Sequence, residues 1–260
     1  MRNLLVLASV LVPAAASATP RVAPRLILSH EAGPAYVAQN DGRYGASGTP
    51  YDAADVGQQD TLAITRRTSV ELQYGRHTVI GLYAPFALDT RVRLARDLQF
   101  RDARFAAGTV VDHRYVFDGF RLSYLYGVIP DGAWRLDAGA SLQVRSAQVA
   151  FGAVDGTGYA AQSNIGLVGA LKLRLTHQPG ATWWGRVEAD ALSTFGLVGD
   201  TSGAMYDVAL TAGRPVRRGI DAFATLRLLG GGAEVPAQDI DNWGNYLSAT
   251  AGLRVELGAL

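Results

Sequence analysis

Trp134-Arg135-Leu136-Asp137-Ala138-Gly139-Ala140-Ser141-Leu142-Gln143-Val144-Arg145 alternates without a break. Trp134, Leu136, Ala138, Ala140, Leu142 and Val144 stand on one parity, and Arg135, Asp137, Gly139, Ser141, Gln143 and Arg145 on the other. Period two over this length reads as a β-strand. It matches the roughly 9–11 residues that a tilted strand needs to cross a bilayer, against ~5–6 for an ordinary globular strand. In a soluble sandwich the polar face meets water and the apolar face a second sheet; in a membrane barrel the polar face meets the lumen and the apolar face lipid.

The pattern recurs. Ile165, Leu167, Gly169, Leu171, Leu173 and Leu175 oppose Asn164, Lys172 and Arg174, and Leu247, Ala249, Ala251, Leu253, Val255 and Leu257 oppose Ser248, Thr250, Arg254 and Glu256. Shorter versions put Val70, Leu72 and Tyr74 against Glu71, and Phe120, Leu122, Tyr124 and Tyr126 against Arg121. Others put Trp183, Val187 and Ala189 against Arg186, Glu188 and Asp190, Tyr206, Val208 and Leu210 against Asp207, and Ala222, Ala224 and Leu226 against Asp221 and Arg227. With the Thr78–Arg93 region and a first strand near Arg25–Asn40, about ten strands are predicted.

Connections between them alternate in length. Gly75-Arg76, Pro130-Asp131-Gly132, Gln178-Pro179-Gly180 and Pro215–Gly219 are short and rich in turn formers. Asp41–Asp60, Leu94–Val110, Phe151–Gln162, Phe195–Ala204 and Gly230–Asn245 read as long loops. Strict alternation places every long loop at one end of the sheet and both termini at the other, which is the layout of an all-β, antiparallel up-and-down transmembrane β-barrel with periplasmic turns and outward loops. A soluble lipocalin-like barrel shares the asymmetry but turns a polar face outward. Tyr74, Tyr126, Trp134, Trp183 and Trp184 gather near the short turns, where an interfacial aromatic girdle belongs.

The N-terminus carries an address. Arg2, an apolar run from Leu4 to Val12 and a small-residue ending at Ala16-Ser17-Ala18 read as a signal peptide over residues 1–18, leaving residues 19–260 as the barrel domain. That predicts export to the outer membrane of a Gram-negative bacterium. With no cysteine there is no disulfide to stabilise an exported chain. A net charge of +1, spread evenly, argues against nucleic acid as a partner.

Two resemblances add to this reading. Gly252-Leu253-Arg254-Val255-Glu256-Leu257 resembles the C-terminal signal by which outer-membrane barrels engage the barrel assembly machinery, although the chain ends at Leu260 rather than at an aromatic residue. Glu31-Ala32-Gly33-Pro34-Ala35-Tyr36, Tyr83-Ala84-Pro85-Phe86, Val110–Tyr126 and Leu226–Val235 resemble a group of uncharacterised proteobacterial outer-membrane β-barrel proteins. The resemblance implies the architecture and brings no functional residues.

Candidate sites follow from the polar parity. Glu71, Arg121, Arg145, Arg186, Glu188, Asp190, Asp207 and Arg227 are predicted to line the lumen, in a nearly balanced set of charges that suggests mutual pairing. A structural or surface-interaction role is the first reading. A narrow porin-like channel for small solutes is the alternative, since open aqueous channels need about 16–18 strands. A third reading is a lipid- or peptide-acting hydrolase.

Among the histidines, His177 sits in a short turn and His77 starts a strand at the same side, and both read as solvated. Asp112-His113 sits at the loop end of a strand, where such a hydrolase would place an acid–base pair, yet neighbours on a strand face opposite sides. Ser29-His30-Glu31 alternates faces in the same way, and the parity of Leu26 and Leu28 hints at a bulge near Gly33-Pro34. No metal-ligand spacing or phosphate-loop motif is present, so no cofactor is implied, and Gly230-Gly231-Gly232 reads as a loop hinge. Arg91, Arg93, Arg96, Arg101 and Arg104 suit the phosphates of outer-membrane lipid such as lipopolysaccharide.

Overall fold

The computed structural model describes residues 23–194 and 201–257; the predicted leader lies outside them. In chain order the strands are Arg25–Tyr44 (β1), Ala63–Tyr74 (β2), His77–Ala84 (β3), Ala87–Arg93 (β4), Leu98–Phe100 (β5), Ala103–Phe105 (β6), Val110–Ile129 (β7), Trp134–Ala153 (β8), Tyr159–His177 (β9), Trp184–Ser193 (β10), Ser202–Arg217 (β11), Ile220–Val235 (β12) and Ile240–Leu257 (β13). β3 and β4 pair end to end with β7 and form one wall strand, interrupted at Pro85-Phe86 because proline offers no N–H. Phe117 bridges the break by donating its N–H to the Phe86 carbonyl at 2.8 Å. Counted that way the wall has ten antiparallel strands, and β1 pairs with β13 to close it. β5 and β6 form a separate hairpin above it.

Burial runs opposite to that of a soluble protein. Asp207 and Asp190 are 1% and 2% exposed, while Leu171 and Leu226, on the outward parity, are 68% and 62% exposed. An outward belt of leucines over an ion-bearing interior is stable only where the outside is hydrocarbon. Tyr74, Tyr126, Trp134 and Trp183 face outward at the short-turn end of that belt. Trp184 does not: it is buried, and its Nε1 donates to Asp221 at 3.1 Å, because it occupies the inward parity of β10.

The tight turns need glycine in the left-handed region, with Gly75 at φ 58° and Gly219 at φ 73°. At the other end several predicted loops are strand. β8 and β9 remain paired to Gly152↔Tyr159, so only residues 154–158 connect them. β12 and β13 remain paired to Val235↔Ile240, with a 3₁₀ turn at Pro236–Gln238. Gly230–Gly232 is therefore wall rather than hinge, because ladder hydrogen bonds on both sides outweigh glycine's low strand propensity. The predicted loop Phe195–Ala204 lies partly outside the described residues. The irregularity in β1 falls between Val37 and Gln39, while Gly33-Pro34 continues in register with Thr65-Ile64.

The outward end is capped. Phe100 and Phe105 of the β5–β6 hairpin pack with Tyr44, Tyr51, Val56, Phe151 and Ile240, an apolar cluster that joins the loops after β1 and β4 to the rims of β8 and β13. A guanidinium of Arg101 reaches Gln162 on β9.

Leu173→Arg places a charge on the belt beside Lys172 at mid-barrel. It is expected to destabilise the protein in lipid vesicles by about 2–4 kcal/mol, read from urea unfolding. A water-facing surface would leave stability unchanged.

Candidate functional site in the barrel lumen

The strand register sets up the central feature. Asp190 of β10 stands directly opposite Asp207 of β11 on the inward face. Like charges so placed repel. Arg121, from β7 on the far side of the lumen, donates from one Nη1 to Asp190 at 3.0 Å and Asp207 at 2.9 Å. Its Nη2 donates to Gln143 Oε1 at 2.8 Å, on the neighbouring β8. Ser141 donates a short hydrogen bond to Asp190.

Around this bridge the pairs continue. Lys172 meets Asp190 at 2.7 Å and Glu188 at 3.3 Å. Arg174 donates to Glu188 at 3.0 Å and, across the lumen, to Glu71 at 2.9 Å. Arg67 reaches Asp207 at 3.1 Å. Arg227 joins Asp207 to Glu31 at 3.1 Å, and Thr250 donates to Glu31 at 2.7 Å. Arg186 stands 3.9 Å from Glu188 and stacks over Trp184 at 5.2 Å. Six cations, Arg67, Arg121, Lys172, Arg174, Arg186 and Arg227, face five anions, Glu31, Glu71, Glu188, Asp190 and Asp207, in this tier. Toward the turn end, Arg254 pairs with Asp221 at 2.8 Å and Arg25 with Glu256 at 3.6 Å.

The tier divides the interior. A polar cavity of about 280 Å³ lies on the turn side and one of about 370 Å³ under the cap, with voids of only about 40 and 100 Å³ between them.

All eight predicted lumen residues point inward. Seven belong to the ion-paired tier, and the eighth, Arg145, lines the larger cavity alone. Glu31 and Arg67 were missed as lumen residues. The first was read within Ser29-His30-Glu31, and the second follows Arg66, so the doublet hides the parity that sends Arg67 inward and leaves Arg66 exposed.

The histidine candidates are scattered. Asp112 faces outward, bound by Arg91 through hydrogen bonds of 2.6 and 2.9 Å. His113 faces inward and is buried under the cap, 3.5 Å from both Gln58 Nε2 and Thr90 Oγ1, with its ring tilted against Phe151 at 4.6 Å. His30 faces lipid and shares a 2.9 Å hydrogen bond with Thr68. Among the described residues none of the three has a carboxylate partner, and no group of three or more His, Asp or Glu side chains is placed to hold a metal.

The loop arginines have internal partners. Arg96 pairs with Asp55 at 2.8 Å, Arg104 with Asp97 at 2.6 Å, and Arg93 donates to the Gly108 carbonyl at 2.7 Å. Arg104 and the Ala107 N–H hold the Asp97 carboxyl below the usual carboxylate range, so this loop contact is complete above that range and is lost only as acid protonates Asp97.

Closed topology, a belt of outward leucines and a charged interior define this chain as an outer-membrane β-barrel protein. No family model and no curated protein matches its sequence. In three dimensions it is similar to the outer membrane protease OmpT of Escherichia coli, with a TM-score of 0.48, 10% identity, and 90% of this chain and 97% of that one covered. It is also similar to Ail, the attachment invasion locus protein of Yersinia pestis, with a TM-score of 0.38, 7% identity and 88% and 98% covered. Neisserial surface protein A has a TM-score of 0.35, 12% identity and 89% and 97% covered.

Asp207→Asn leaves Arg67, Arg121 and Arg227 short of their shared carboxylate. Breaking a buried pair in this way is expected to lower unfolding stability by roughly 3–5 kcal/mol, measured as a shift in denaturant midpoint in vesicles.

Proposed function

We propose that this protein is a sealed barrel with a structural and surface-interaction role, holding a rigid wall in the outer membrane and presenting its capped end outward. The observation that carries this reading is the bridge from Arg121 to Asp190 and Asp207 with the pairs built around it. A narrow lumen filled by mutually engaged side chains leaves permeating ions little space and little free charge to exchange with at the level of the tier. The cap supports the surface part. Arg91 and Arg104 are largely exposed, and exposed ion pairs are weak enough for the phosphates of outer-leaflet lipid to compete for the guanidiniums.

In planar bilayers the inserted protein is expected to be silent. The triple variant Arg121→Ser, Asp190→Ser, Asp207→Ser should give discrete conductance steps, with preference for anions because Arg67, Arg227 and Lys172 then lose carboxylate partners. Steps from the unaltered protein would instead support the narrow-channel reading.

Delivery through a cleavable leader over residues 1–18 belongs to the same proposal. Sequencing of the N-terminus of protein recovered from outer membranes is expected to begin at Thr19.

A further inference from the structure

The ion-paired tier carries more cations than anions, and the surplus has a definite place. Glu71 and Glu188 are engaged by Arg174, at 2.9 and 3.0 Å, and Arg186 stands beside Glu188. Those two cations match those two anions. Arg67, Arg121, Lys172 and Arg227 are left to share Glu31, Asp190 and Asp207, four positive charges on three negative ones. The second contact of Lys172, with Glu188, does not alter that count. Crowding is greatest at Asp207, whose carboxylate serves Arg67 at 3.1 Å, Arg121 at 2.9 Å and Arg227 as well. Each guanidinium is paired, yet the group as a whole keeps one positive charge that no side chain of the tier neutralises.

A void lies against the same guanidiniums. Arg67, Arg121 and Arg227 border the space of about 40 Å³ between tier and cap, and no carboxylate of the described residues does. A void needs about 10–15 Å³ to hold one water, so this one has room for a small ion and not for an anion carrying a chain. Phe86 and Phe117 close it toward the cap.

Neutral donors converge on this space. Gln143 accepts from Arg121 Nη2 through Oε1 at 2.8 Å, which turns its amide nitrogen the other way, beside Gly119, where an added Cβ would come within 2.9 Å of it. Both residues border the void. Tyr246 borders it as well; it is 9% exposed, and its buried hydroxyl makes no hydrogen bond of normal geometry, although the Tyr115 hydroxyl is near. A buried hydroxyl and a buried surplus of charge are both costly unless something completes them. Guanidinium, amide and phenol groups all donate, so what completes them is an acceptor, and one surplus cation calls for one negative charge.

We propose that this void binds one chloride ion, or a halide of similar size, held by Arg67, Arg121 and Arg227 with the Gln143 amide and the Tyr246 hydroxyl as further donors. The proposal deepens the sealed-barrel reading and rests on it, since the ion is the missing anion of the tier that closes the lumen. Ion and fold are then linked, because an anion bound only by the folded barrel stabilises it by mass action. Chloride in the medium thereby sets how firmly the tier holds without opening a path through it.

The test unfolds the full protein with urea in phosphatidylcholine vesicles at constant ionic strength, chloride being replaced stepwise by gluconate, which is too large for the void. The urea midpoint is expected to rise with chloride along a one-site saturation curve, and bromide should act alike. Crystals grown in sodium bromide should show one anomalous peak within hydrogen-bond reach of Arg67, Arg121 and Arg227. Gln143→Glu supplies the missing negative charge from the protein itself. It should hold the midpoint in gluconate at the level the unaltered protein reaches in chloride, abolish the chloride dependence and remove the bromide peak. Tyr246→Phe should raise the half-saturating chloride concentration at least threefold. Heat-modifiable mobility on gels checks that each variant is folded, and the bromide peak of the unaltered protein decides the matter if Gln143→Glu does not fold. Equal midpoints in chloride and gluconate, a map with no bromide in the void, or a chloride dependence that persists unchanged in folded Gln143→Glu overturns the site. A protein that is silent in planar bilayers and yet indifferent to chloride refutes this inference alone, whereas one that conducts refutes the sealed-barrel reading.

Discussion

Two aspartates directly opposed on adjacent strands, Asp190 and Asp207, would drive β10 and β11 apart if nothing stood between them. The answer comes from the other side of the barrel, where Arg121 reaches across the lumen to both carboxylates with a single nitrogen. That contact can form only if the wall is closed at the right circumference and β7, β10 and β11 are in register. In turn it fixes where the remaining charges can go. Lys172 settles on Asp190, Arg67 and Arg227 on Asp207, and Arg174 spans from Glu188 to Glu71. Several of these pairs join strands that are not neighbours, so they hold opposite walls at a set distance as backbone ladders cannot.

Long charged side chains also answer a volume problem. About eight strands enclose an interior that ordinary side chains fill, and ten leave more radial space. Arginine, lysine and glutamate extend far enough to meet in the middle, and their ion pairs satisfy groups that the surrounding hydrocarbon wall cannot solvate. The outward end is handled differently. There the strands run on past the bilayer, since 20 residues of β7 or β8 at ~3.3 Å each far exceed a ~30 Å hydrocarbon core. Water outside that level makes aromatic burial favourable, and Phe100, Phe105 and Phe151 form a lid of ordinary hydrophobic packing.

The ten-strand wall and its two chemically distinct faces were legible in the sequence because the period-two signal is local and repeated. The inward charges were legible for the same reason. Their partners were not, since Arg121 and Asp207 are 86 residues apart and only barrel closure brings them together. Loop lengths were misjudged where composition misled: Gly230–Gly232 has the composition of a hinge, yet it forms ladder pairs with Ala204–Tyr206 on one side and Trp243–Asn245 on the other. Trp184 was assigned to the aromatic girdle by position alone, and its inward parity next to the outward Trp183 was the signal that places it over Asp221.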